Sequence, residues 1–186
     1  MKIRLAAELQ TDSIVDGLGI RTVIWTQGCS HNCKACHNPE THSFKDGKEF
    51  DIEEIKKKIA NLEYQDGVTF SGGDPMFQPE ACSILAKFIK EKGMNIWCYT
   101  GFTFEELLKM SKKNKYIMEF LKNIDILVDG KFELDKKSYN IKFRGSTNQR
   151  LIDVAKSLKY KQIFCIDLEQ EEPITRKNYI HQGVFI

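Results

Sequence analysis

Val68-Thr69-Phe70-Ser71-Gly72-Gly73-Asp74-Pro75 runs from an apolar, β-branched start into a glycine turn, and Pro79 follows shortly after. The first three residues favour a buried strand. Paired glycines end it and let other groups approach the backbone closely. Proline is best tolerated in the first turn of a helix, so Pro79 opens one that continues to Gly93. The same strand, polar turn and helix recur on both sides. Thr22-Val23-Ile24-Trp25 reads as a strand; further on, Asp51 caps a helix to about Leu62 with Ile52, Ile55 and Ile59 on one face. Ile96-Trp97-Cys98-Tyr99 ends at Thr100-Gly101, and Thr103 with Glu106 forms a capping box for the next helix. Ile126-Leu127-Val128 ends at Asp129-Gly130. Alternating strands and helices predict an α/β fold on a parallel sheet. Additional strands are expected at Lys2 to Leu5 and Ile163 to Ile166. In such folds ligands bind beyond the carboxyl ends of the strands, where the glycine and polar signals of this chain gather.

The 186 residues suit one domain spanning 1–186, with a core at about 10–155 and an extension at about 160–186. The 28 basic and 26 acidic residues nearly cancel, to a net charge of +2. This balance argues against a nucleic-acid partner. No apolar run approaches the roughly 18 residues of a membrane span. The start, MKIRLAAELQTD, lacks the apolar centre of a signal peptide, so a cytoplasmic location is expected. In that reducing compartment cysteines serve as metal ligands, catalytic groups or core filler.

Cys29, Cys33 and Cys36 stand in the spacing C-x-x-x-C-x-x-C. Intervals of four and three also match one helical face. Gly28, Asn32 and Asn38-Pro39 favour a loop instead. From the triplet alone two readings stay open. One is structural zinc, with His31, His37 or His42 completing a Cys₃His site. The other is an iron–sulfur cluster one cysteine short of the usual four, leaving an iron open. The Gly72-Gly73-Asp74-Pro75 turn taken alone is an ordinary turn, although Asp74 offers a charge suited to an ammonium group.

Together the two motifs resemble the radical S-adenosylmethionine (SAM) superfamily. The resemblance implies a partial βα barrel. It implies that Cys29, Cys33 and Cys36 hold a 4Fe–4S cluster whose open iron binds SAM. It places Gly72, Gly73 and Asp74 at the methionyl amine, and backbone groups of Ala35, Cys36 and His37 against SAM. Asp74 stands where that family usually has Glu, and Ala35 where it often has an aromatic residue. Asp16-Gly17-Leu18-Gly19-Ile20-Arg21 is similar to a stretch preceding the cysteines in enzymes that activate glycyl-radical proteins. Asp125 to Phe132 and Arg144 to Arg150 are similar to later motifs in the activases of anaerobic ribonucleoside-triphosphate reductase. The likeness covers roughly 10–155.

Such an enzyme cleaves SAM reductively to methionine and a 5′-deoxyadenosyl radical, which takes a hydrogen from a glycine of the reductase. The implied partners are that glycyl-radical subunit and a small reducing protein such as flavodoxin or ferredoxin. Activases of other glycyl-radical enzymes and small radical SAM enzymes of deazapurine synthesis share the chemistry. A zinc module or a plain ferredoxin are rivals of another class. Tyr99, Thr100 and Asp129 are expected near the ligand by strand-end position, and Arg144 suits a carboxylate or a docking surface. His31 and His42 read as polar loop residues. Cys82, Cys98 and Cys165 read as buried core cysteines.

Overall fold

The computed structural model describes residues 1–168; residues 169–186, the greater part of the expected extension, lie outside the described residues. The strands and helices, in chain order, are β1 (Lys2–Leu5), β2 (Gln10–Ser13), β3 (Arg21–Thr26), β4 (Lys48–Asp51), α1 (Ile52–Ala60), β5 (Gly67–Gly72), α2 (Pro79–Glu91), β6 (Asn95–Tyr99), α3 (Phe104–Met110), α4 (Lys115–Leu121), β7 (Ile126–Asp129), β8 (Arg150–Asp153) and α5 (Val154–Tyr160). The sheet order is β4-β1-β3-β5-β6-β7-β8, with β2 beside β3. The four central strands β3, β5, β6 and β7 are mutually parallel, as the recurring strand–helix pattern predicts. The flanking strands β1, β2, β4 and β8 pair antiparallel. The result is a mixed α/β fold with a parallel-rich centre.

Side chains alternate across the sheet, as strand geometry requires. Val68, Phe70, Ile96, Cys98, Leu127 and Ile152 face the helices, where Ile55, Leu85, Ile89, Leu107 and Phe120 complete the larger core. The residues between them, Trp97, Ile126, Val128 and Leu151, form a smaller cluster on the opposite face. Asp51 accepts from the Glu53 amide at 2.8 Å and starts α1. Thr103 and Glu106 form the predicted box at α3. Gly93, just past α2, has φ +78°, the left-handed conformation that commonly ends a helix.

Arg21 is fully buried at the amino end of β3. Its guanidinium donates to Thr69 Oγ1 (2.6 Å), Asn95 Oδ1 (2.8 Å) and the carbonyls of Leu18 and Val68 (both 2.9 Å), with the Trp97 ring 5.5 Å away. A Cβ on Gly17 would lie 2.8 Å from Trp97 and 2.9 Å from Arg21. The Gly17-to-Arg21 stretch therefore packs against Trp97 on the sheet's second face.

Two expectations fail at the carboxyl end. Ile163 to Ile166 makes only an isolated bridge, Ile152 to Cys165, rather than a strand. Cys165 is exposed, because that segment lies along the rim of β8 instead of under it. Cys82 and Cys98 are buried as expected. No helix among the described residues is long and apolar enough to cross a membrane.

Candidate active site

The carboxyl ends of β3, β5 and β6 open into one cleft of about 650 Å³, with Trp25, Ser71 and Tyr99 on its walls. The segment between β7 and β8 closes another side through Phe132, Tyr139, Phe143 and Arg144. Cys29, Cys33 and Cys36 all line this space, each half-buried and unpaired.

The cysteine segment is a loop, as its turn formers predict. Gly28, Asn32 and Ala35 have φ of +104°, +51° and +57°. The loop's root is fastened by backbone bonds: Gly28 N–H to Thr41 O (2.8 Å) and Cys29 N–H to His42 O (3.0 Å). Gln27 adds side-chain bonds to the carbonyls of Glu40 (3.1 Å) and Ser43 (2.8 Å). Near the loop's end, the Asn38 amide donates to Cys36 Sγ at 3.5 Å.

The Gly72-Gly73-Asp74 turn docks on that root. Gly73 N–H donates to Thr26 O at 2.7 Å, and Asp74 N–H to Gly28 O at 3.0 Å. A Cβ on Gly72 would sit 2.6 Å from Thr26 O, and one on Gly73 2.6 Å from Gly28 O. The glycines are required because two backbones meet there. The register of β3 on β5, Thr26 opposite Gly72, brings them together.

Asp74 is 1% exposed and stands behind the cleft wall. Its Oδ1 accepts from Met76 N–H (2.9 Å), and its Oδ2 from Gly101 N–H (2.9 Å) and Thr100 Oγ1 (2.9 Å). His31 Nε2 lies 2.7 Å from the same Oδ2. The sequence reads His31 as a polar loop residue; the structure buries its side chain. No local signal marks it, since its partner is 43 residues away.

The other expected residues divide. His37 reaches the cleft and packs against Phe132 at a 45° tilt, with ring centroids 4.8 Å apart; Gly145 leaves room for both rings. Ala35 holds the left-handed turn between Cys33 and Cys36. Tyr99 and Thr100 line the cleft, and burial holds the Tyr99 hydroxyl protonated well above its ordinary range. Asp129 turns away from it. Its carboxylate is 1% exposed, accepts from the Phe104 amide at the start of α3 (2.8 Å) and pairs with Arg150. Arg150 also bonds Glu105 at 2.8 Å. Gln149 holds the Arg144-to-Arg150 turn, with Nε2 donating to Gly130 O (3.0 Å) and Oε1 accepting from the Gly145 amide (2.8 Å). The two later motifs are thus bound to each other at the end of β7.

In the metal-free chain, burial pushes the Cys29 thiol up to about 11, with Asp74 and the other two cysteines adding to the rise against the His31 amide. Burial likewise raises Cys33, against the Phe132 amide. His31 is hydrogen-bonded to Asp74 and His37 packs at a tilt against Phe132, while three sulfurs open into the cleft. An all-sulfur donor set spread around a cavity fits a multi-iron cluster better than a compact Cys₃His zinc site.

Comparison with known proteins bears on the same residues. A family model described as a 4Fe-4S single cluster domain matches residues 15–152. The anaerobic ribonucleoside-triphosphate reductase-activating protein of Enterobacteria phage T4 is 34% identical over 143 residues, covering 74% of this chain and 86% of the phage protein. The chain belongs to the family of these activating proteins. The Pasteurella multocida (strain Pm70) member is also 34% identical, over 73% of this chain and 89% of its own length. The pyruvate formate-lyase-activating enzyme of Clostridium pasteurianum is 37% identical over 123 residues, which are 63% of this chain and 52% of that enzyme. The matched family segment takes in the cysteine loop, the glycine turn and both later motifs.

Proposed function

We propose that this protein activates anaerobic ribonucleoside-triphosphate reductase by generating a glycyl radical on it, using SAM and a 4Fe–4S cluster held by Cys29, Cys33 and Cys36. The observation that carries this reading is the single cleft into which all three thiols open, walled by the Gly72-Gly73 turn, in a chain that matches the activases along most of its length. When bound, such a cluster supplies one electron to the SAM sulfonium, whose carbon–sulfur bond breaks to give methionine and a 5′-deoxyadenosyl radical that takes a hydrogen from the partner's glycine.

The chain's own residues hold and enclose. The three thiols give up their protons on binding iron, so cluster assembly releases protons. Ala35, Cys36 and His37 present backbone groups to SAM from the cysteine loop, and the Gly72-Gly73-Asp74 turn forms the wall at its methionyl amine. Phe132, Phe143 and Tyr99 give the cleft a partly apolar lining, which limits water around a reactive species. Glycine suits the mouth because it alone brings a Cα to a recessed centre without a side chain in the way.

The parallel-centred sheet is read as the partial βα barrel of radical SAM enzymes. The protein works in the cytoplasm with a small electron donor such as flavodoxin or ferredoxin. A second reading, activation of another glycyl-radical enzyme, draws on the likeness to the pyruvate formate-lyase-activating enzyme. One experiment separates them. The chain is reconstituted anaerobically with iron and sulfide, then mixed with SAM, a reductant and either target. A glycyl-radical doublet in the electron paramagnetic resonance spectrum of the reductase is expected. Cleavage of SAM with a doublet only in the other target would move the assignment. A colourless protein that takes up zinc and leaves SAM intact would overturn both.

A further inference from the structure

We propose that His31 and Asp74 form a latch that positions the cysteine loop, so that Asp74 serves the site through His31 rather than by touching the ligand. The inference rests on the reading of the cleft as a cluster and SAM site and adds a residue that reading does not use.

Three observations converge. First, every donor found at the Asp74 carboxylate belongs to the chain itself: the Met76 and Gly101 amides, the Thr100 hydroxyl and His31 Nε2. A carboxylate that is 1% exposed and accepts that many bonds has little capacity left for an ammonium group. Second, His31 sits midway between Cys29 and Cys33, away from the backbone bonds that fasten the loop's root. Its side chain is 8% exposed. Third, the pocket is shaped to receive the ring. Phe102 packs edge-on at 4.5 Å between centroids and Phe77 lies at 5.8 Å. A Cβ on Gly101 would come within 2.4 Å of the imidazole. Nε2 is the ring nitrogen that faces the carboxylate, 2.7 Å from Oδ2.

The latch crosses between elements. Asp74 follows β5 and also gathers Thr100 and Gly101 from the end of β6. His31 thereby ties the loop after β3 to the ends of β5 and β6. A loop containing left-handed Asn32 and Ala35 needs such an anchor to keep three sulfurs in one arrangement.

Two measurements on the 186-residue chain test this separately from the SAM reading. The first is hydrogen exchange of amides 29–36 in the iron-free protein. His31→Ala and Asp74→Ala should each speed exchange there by about tenfold or more, the scale of one lost charge-assisted hydrogen bond. The double variant should be no faster than either single one. His31→Gln should restore slow exchange, because its amide nitrogen can occupy the place of Nε2; His31→Asn, one carbon shorter, should not. This Gln–Asn pair decides the matter if the alanine variants unfold. Unchanged exchange in His31→Ala, or equal behaviour of Gln and Asn, overturns the latch. The second measurement is SAM affinity of the reconstituted protein. If Asp74→Ala weakens SAM binding while His31→Ala does not, Asp74 contacts the ligand directly and the proposal fails. Absence of SAM binding in the unaltered protein would count against the functional reading alone and leave the exchange result standing.

Discussion

Gly73→Ala adds a single methyl group where the glycine turn meets the root of the cysteine loop. The new Cβ would stand 2.6 Å from Gly28 O, 2.9 Å from its carbonyl carbon and 3.0 Å from its nitrogen. All three are backbone atoms, so no flexible side chain can swing aside. Overpacking at a well-packed position costs about 1–3 kcal/mol. Separating the backbones also stretches Gly73 N–H to Thr26 O and Asp74 N–H to Gly28 O, at about 1 kcal/mol each. The sum is about 3–5 kcal/mol, a large share of a domain stability of about 5–15 kcal/mol. Urea denaturation of the iron-free chain measures it. With a slope of about 2 kcal/mol per molar, the midpoint should fall by about 1.5–2.5 M at unchanged slope. Iron uptake on reconstitution should fall with it, because the displaced atoms belong to the residue just before Cys29. A midpoint within about 0.2 M of the unaltered protein, with full iron uptake, would refute the claim that the glycines are there for backbone contact.

Arg150→Ala should destabilise the fold by about 3–5 kcal/mol in the same assay, since it strands the buried Asp129 carboxylate without its cation. Arg21→Met should cost about 3 kcal/mol, because Thr69, Asn95 and two carbonyls lose a buried donor. In the iron-free chain, alkylation of Cys29 by iodoacetamide, followed by peptide mass spectrometry, should rise with pH to a midpoint near 11 rather than the ordinary 9.0. The sign is that of a group kept neutral by burial. Its contribution to stability is full below about pH 9 and disappears as pH rises through 11. A midpoint near 9 would mean the loop is open in solution.

The sequence and the structure agree where one signal is strong enough to stand alone. The central strands carry β-branched and aromatic runs because both of their faces are buried, and each ends in a glycine or polar turn that could be read directly. β2 (Gln10–Ser13), β4 (Lys48–Asp51) and β8 (Arg150–Asp153) have four residues each, and β2 and β4 are mostly polar. They flank the parallel centre and pair antiparallel, so little in their composition sets them apart from loops. Cys165 misled in the opposite direction: its neighbours Phe164 and Ile166 are apolar, yet the segment bridges only at Ile152 and leaves the thiol exposed. The cysteines and the glycine turn could be found from spacing. His31 could not, because its burial depends on a carboxylate brought to it by strand pairing. Asp129 failed as a site residue for a similar reason. Strand-end position places it near the mouth, but Arg150 and the α3 amide turn it aside.

The in-register pairing of β3 with β5, from Arg21 opposite Gly67 to Thr26 opposite Gly72, acts as a ruler for the site. The cysteine loop and the glycine turn are set against each other by this ladder, not by the length of chain between them. Tyr64, 90% exposed with φ +60°, lies in that connecting stretch and touches neither motif's anchoring bonds. Residues added at Tyr64 would lengthen the detour and leave the three sulfurs where they are. One residue added between Val68 and Ser71 would shift the turn by a strand step of about 3.3 Å and reverse which side chains face the cleft. Variation in length is therefore harmless in one part of the connection and fatal in the other, and an insertion scan across residues 61–72 would show the boundary as a sharp loss of iron binding.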